Sequence, residues 1–68
     1  MEMTDLTERE RQVLEGVLQN LLNKEIAKKL QISERTAKFH VSNLLSKFGV
    51  RRRADLILLT LTQLDHPA

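Results

Sequence analysis

Apolar residues recur at helical spacing along this chain, in four blocks separated by short polar turns. Thr7-Glu8-Arg9-Glu10 reads as a capping box, in which the Thr7 hydroxyl and the Glu10 carboxylate satisfy each other's orphan backbone N–H groups. Val13, Leu14, Val17, Leu18 and Leu21 follow, which predicts a first helix over about 8–19. Gly16 within it costs about 1 kcal/mol relative to Ala, so either the position tolerates that loss or another helix approaches closely there. Asn20 suits a left-handed stop. Asn23 can cap a second helix over about 24–30, with Ile26, Ala27 and Leu30 on one stripe. Ser33 offers the next N-cap, and the spacer Gln31-Ile32 permits only a tight turn, with Ile32 expected beneath it. Two helices joined this closely are a helix-turn-helix candidate.

The third helix, about 34–48, has two different faces. At about 100° per residue, Ala37, Val41, Leu44, Leu45 and Phe48 fall within an arc the width of a core-facing stripe. The opposite side gathers Arg35, Phe39, Ser42, Asn43 and Ser46, with Thr36 and Lys38 on its shoulders. Phe39 is therefore a large apolar side chain set among hydrogen-bonding groups, away from the core. It is either a stray exposed aromatic or part of a face that reads a DNA major groove, where it could pack on a thymine methyl. Gly49 ends the helix, with Val50 supplying the accompanying apolar contact. In the fourth helix, about 53–64, Leu56, Ile57, Thr60 and Leu64 share one face, and Leu58 and Leu61 another. A terminal helix of a small bundle needs one apolar face, so the second predicts a partner surface, most simply a homodimer. The competing reading packs both leucines against the first helix. The class is all-α: one four-helix domain over 1–68, with its core in 6–64 and a tail at 65–68 that Pro67 keeps from continuing the helix.

Length and composition narrow the function. A chain of 68 residues buries only about 60% of its unfolded surface, which leaves little room for an enclosed pocket for a small molecule. Cysteine is absent, which excludes disulfides and thiolate zinc sites. No apolar run approaches the roughly 18 residues of a membrane span, and Met1-Glu2-Met3-Thr4-Asp5 is acidic where a secretory signal would be basic, so a cytoplasmic protein is expected. The net charge of +2 divides unevenly. Residues 24–53 hold nine Lys/Arg and two acids, a net +7, while the remainder holds two Arg and seven acids, a net −5. One basic segment between acidic flanks points to a polyanion met by one face, against the alternative of a merely solvated surface. Arg51-Arg52-Arg53 sits at a helix entry, where the dipole is already positive, so anions are expected nearby: phosphates outside, or an acid of the first helix inside.

A catalytic reading finds no convergent groups. His40 lies at the edge of the third helix's core stripe and His66 in the tail, and Ser42 points away from His40. There is no Gly-rich phosphate loop, no metal-ligand spacing and no carboxylate pair in a credible cleft. The sequence reads as neither an enzyme nor a cofactor or metal protein.

Four motif blocks carry a resemblance. Leu6-Thr7-Glu8-Arg9-Glu10-Arg11-Gln12-Val13-Leu14, Asn23-Lys24-Glu25-Ile26-Ala27, Ile32-Ser33-Glu34-Arg35-Thr36-Ala37-Lys38-Phe39-His40-Val41 and Lys47-Phe48-Gly49-Val50 resemble the LuxR-type (GerE-like) helix-turn-helix of bacterial transcription regulators. The resemblance runs from Leu6 to about Leu64. It implies a four-helix fold, double-stranded DNA as partner, a recognition helix over 34–48 and dimerisation through the fourth helix by Leu58 and Leu61. It further implies that Lys38, Phe39 and Ser42 face base edges with Arg35 close by, and that Asn23, Lys24, Thr36 and Lys47 hold phosphates. Arg51 and Arg52 join that phosphate set, and RNA polymerase is a possible further partner. Arg53 matches a family Arg that pairs with an acid of the first helix, here expected to be Glu10. Gly16 and Leu18 depart from the pattern in opposite directions, which suggests that Leu18 fills the volume missing at position 16. Two other readings stand beside this one: a sigma-factor-like promoter-binding domain, and a helical module binding an acidic protein. Phe39-His40-Val41-Ser42-Asn43, the Gly49-Val50 stop and the full fourth helix favour the LuxR type.

Overall fold

The computed structural model describes residues 6–64, with side chains to residue 62. The expectations for the 65–68 tail, for His66 and for the Leu64 side chain fall outside the described residues. Four helices follow one another: α1 (Glu8–Leu18), α2 (Asn23–Leu30), α3 (Glu34–Phe48) and α4 (Arg53–Leu64). The third packs against all the others, so it forms the axle of the fold. Its inner residues Ala37, Val41, Leu44 and Phe48 join Val13, Leu14 and Val17 of α1, Ile26 and Ala27 of α2, and Leu56 of α4 in one buried cluster. Leu14, Ile26, Leu44 and Leu56 are its largest fully buried apolar side chains, and burying each one is worth about 1.5–3 kcal/mol.

The helix starts follow their capping chemistry. At α1 the Glu10 amide donates to Thr7 Oγ1 at 3.1 Å, and the Thr7 amide donates to Glu10 Oε1 at 3.0 Å, completing the capping box. At α3 the Thr36 amide donates to Ser33 Oγ at 3.0 Å. At α2 the register differs from expectation by one residue. Leu22 is the cap and Asn23 is already helical, because the Glu25 carboxylate accepts the Leu22 amide at 2.7 Å and performs the capping that Asn23 was expected to supply. Leu21 therefore takes the inward staple position, and Leu22 is left 63% exposed.

Three helices stop in the same way. The amides of Leu21, Ile32 and Val50 reach back five residues to the carbonyls of Gly16, Ala27 and Leu45, around left-handed residues Asn20 (φ 63°), Gln31 (φ 58°) and Gly49 (φ 68°). Asn and Gly were legible stops. Gln31 was not, since its side chain has no special liking for that conformation, and the tight α2–α3 turn imposes it. Its neighbour Ile32 is half-buried against the core.

Gly16 resolves the choice its sequence left open. A Cβ there would lie 2.8 Å from Ile26 Cγ1 and 3.2 Å from its Cδ1, with Leu21 Cδ1 at 3.7 Å. Helix α2 thus approaches α1 at the glycine. The volume missing from position 16 is taken by Ile26 across the helix pair, not by Leu18 on the same helix as expected.

Candidate nucleic-acid interface

The outer side of α3 carries the residues that sequence set apart for base reading. Arg35, Lys38 and Ser42 are exposed, and Phe39 keeps 62% of its surface accessible while Ala37 and Leu44, on the inner side, keep none. The Phe39 ring meets the His40 ring edge to face, with centroids 5.8 Å apart, which gives an otherwise unsupported aromatic one flank of contact. Among the described residues neither Arg35 nor Lys38 has an ion-pair partner, so both present a full charge. Glu34 is the acid in the first turn of α3, where the dipole favours it; Arg35, in the same turn, is placed against that preference.

The residues expected to hold phosphates surround that face in different states. Lys24 and Arg51 are exposed and unpaired among the described residues. The Thr36 hydroxyl accepts the Ser33 Oγ proton at 2.8 Å, which leaves its own O–H to donate outward. Arg52 is exposed and meets Asp55 at 3.3 Å, a surface pair worth little because water screens it.

Lys47 and Arg53 depart from expectation as a pair. The partner of Glu10 is Lys47, whose Nζ lies 2.7 Å from Oε1 across 37 residues of sequence. Glu10 is buried, and Lys47 is about one-third exposed. The Lys47 ammonium hydrogen bond, then the Thr7 amide, holds the Glu10 carboxyl below its ordinary pKa, against the opposing effect of burial. Arg53 does not reach Glu10. Its Nη1 donates to Asn23 Oδ1 at 3.1 Å, and its Nη2 donates to the Leu21 carbonyl. Asn23, expected as a cap and a phosphate ligand, is half-buried with its carboxamide oxygen already engaged. No periodicity could have announced either contact, since both join residues at least 30 positions apart.

On α4, Leu56 and Thr60 are buried, and Leu58 and Leu61 are 66% and 54% exposed. The two leucines do not pack against α1 as the competing reading had it. Among the described residues, no group of His, Asp and Glu could hold a metal ion, and no helix is long and apolar enough to cross a membrane.

Comparison with known proteins agrees with this geometry. A family model for bacterial regulatory proteins of the luxR family matches residues 4–60. Spore germination protein GerE of Bacillus subtilis is 45% identical over 53 residues, covering 78% of this chain and 72% of GerE. The transcriptional regulatory protein LnrK of the same species is 56% identical over 54 residues, covering 79% of this chain and 24% of LnrK. The nitrate/nitrite response regulator protein NarP of Escherichia coli is 52% identical over 58 residues, covering 85% of this chain and 27% of NarP. The chain thus spans about a quarter of the length of LnrK and NarP. LnrK and NarP are regulators by name. With most of its length matched and the four helices in place, the chain belongs to the LuxR family of bacterial regulatory proteins, as its helix-turn-helix DNA-binding domain.

Proposed function

We propose that this chain binds double-stranded DNA sequence-specifically as the output domain of a bacterial transcription regulator, with α3 in the major groove and two copies paired through α4. The observation that carries the reading is the outer face of α3, where unpaired Arg35 and Lys38 flank an exposed Phe39. Cations there can donate to guanine O6 and N7, Ser42 to either base of a pair, and Phe39 can pack on a thymine methyl. Lys24, Thr36, Arg51 and Arg52, with the Asn23 amide, contact phosphates and set the register. Lys47 adds less, because Glu10 offsets its charge. Leu58 and Leu61 are the pairing surface, and a two-fold pair doubles the few base pairs that one small head can read. Such a domain works in the cytoplasm on the nucleoid, with RNA polymerase as a further partner.

Selection of duplexes from a random pool, followed by binding measurements across salt concentration, tests the reading. Recovered sites should contain two half-sites, and affinity should fall steeply with salt. Lys38→Ala should lose about 1–3 kcal/mol on the selected site and much less on random DNA. Glutamates at positions 58 and 61 should abolish cooperative occupancy of paired half-sites in a folded protein. Equal affinity for all duplexes would sink sequence-specific reading, and an unfolded 58/61 variant would assign those leucines to the core.

A further inference from the structure

We propose that Arg53 is a positioning residue for DNA binding, one that fixes the Asn23 carboxamide so that its NH2 group is turned toward the DNA backbone. The inference rests on the DNA-binding reading above and assigns a role to a residue which that reading leaves out. Arg53 is the first residue of α4 and Asn23 the first of α2, and the 3.1 Å bond from Nη1 to Oδ1 joins them across 30 positions. A guanidinium has five donors and no acceptor, so only the oxygen of a carboxamide can meet it. Its nitrogen, with two N–H donors, is then held on the other side. That nitrogen has no partner among the described residues, and Asn23 is only half-buried beside exposed Lys24. A rigid amide donor next to a cation is chemically suited to a phosphate oxygen.

The second contact fixes the first. Nη2 donates to the Leu21 carbonyl, so the guanidinium fork grips the α1–α2 turn at two points and cannot swing away from Asn23. Both acceptors are neutral. Unlike Lys47, whose charge Glu10 offsets, Arg53 spends none of its charge on a carboxylate within the described residues, and its positive potential stands behind the amide. A lysine could supply the charge but not the two-point grip.

A double-mutant cycle on the duplex selected by the wild-type domain tests this role, with the thermal midpoint followed alongside affinity. Asn23→Ala and Arg53→Lys should each weaken binding about tenfold, and the double variant should also lose about tenfold instead of a hundredfold, because the two residues act as one unit. The slope of affinity against salt should be unchanged in Arg53→Lys, since the charge is retained. Asn23→Asp gives Arg53 an ionic acceptor while replacing the outward donor with a second oxygen. It should keep or raise the thermal midpoint and weaken binding more than tenfold on selected and random DNA alike. Additive losses in the cycle, or full affinity in Asn23→Asp, would overturn the role of Arg53. Should Arg53→Lys unfold, the Asn23→Asp arm decides alone. A wild-type domain with no preference among duplexes fails the DNA-reading proposal itself, whereas a selective wild type with additive variants fails only this one.

Discussion

Helix α1 holds the two helices of the helix-turn-helix by opposite kinds of chemistry. Against α2 the fastening is steric: Gly16 leaves a notch, and Ile26 fills it so closely that even a methyl group would sit 2.8 Å from Cγ1. Against the last turn of α3, where Phe48 is already buried, the added fastening is ionic: Glu10 accepts Lys47 at 2.7 Å. The first joint depends on shape alone and is indifferent to pH and salt. The second depends on two charges, and water reaches one of them. The contrast teaches that α2 is seated on α1 by volume, while at the far end of the recognition helix an ionic tie is added to the burial of Leu44 and Phe48, in a domain whose proposed ligand is itself a dense array of charges.

Disturbing the steric joint, by crowding it or emptying it, should have the largest effect. Gly16→Leu is expected to lose about 1–3 kcal/mol of folding stability in urea titration, despite the better helix propensity of Leu, because Ile26 Cγ1 is not the free end of its side chain and the helices must part. Ile26→Ala alone should lose about 2–5 kcal/mol by emptying a buried site. Combined, the two should lose clearly less than their sum, which would identify Ile26 as the residue that takes the volume missing at position 16. A Gly16→Leu domain as stable as the wild type would show that the joint is loose. A groove of about 230 Å³, lined by Gln12, Leu21, Lys29 and Leu30, opens beside the notch, and a long side chain could escape into it only after its Cβ had cleared Ile26.

Removing the charge from the ionic joint should cost less. Glu10→Gln can keep an acceptor for the Thr7 amide, so the capping box survives while the attraction to Lys47 goes. A charge-assisted hydrogen bond contributes about 1.5–3 kcal/mol when dry, and the part-exposure of Lys47 reduces the expected loss to about 1 kcal/mol. If Glu10→Gln matched the Gly16→Leu loss, the ionic tie would belong with the steric one.

The same contrast explains what could be read without coordinates. The Thr7 and Ser33 caps, the α3 core stripe and the exposed Phe39 are local or periodic properties, and each stands where its pattern placed it. Gly16 announced a close approach without naming the neighbour, because helix packing is set by side chains from another segment. Asn23 misled for a local reason: Glu25 reaches the backbone first and moves the cap to Leu22. The two cross-links were beyond sequence patterning. A long cation can reach any of several acids or carbonyls, so the expected Arg53–Glu10 pairing gave way to Lys47–Glu10 and Arg53–Asn23 once the end of α3 lay nearer to α1.

The smallest expected effect is also the one that separates the two fastenings most cleanly. The Glu10 carboxyl is held below its ordinary pKa by the Lys47 ammonium and the Thr7 amide, so the folded state binds its proton less readily than the unfolded chain does. Its contribution to stability is therefore complete above the unfolded carboxylate pKa and is lost as pH falls through the lower, folded value. Acid should weaken the α1–α3 tie while leaving the Gly16–Ile26 joint untouched. In thermal unfolding followed by circular dichroism, the wild type should lose stability relative to Glu10→Gln on going from neutral pH into the acid range, so that the difference between the two narrows. Gly16→Leu should keep a constant offset from the wild type over the same range. A Glu10→Gln curve parallel to the wild type throughout would place the acid sensitivity elsewhere and would leave the end of the recognition helix fastened by packing alone.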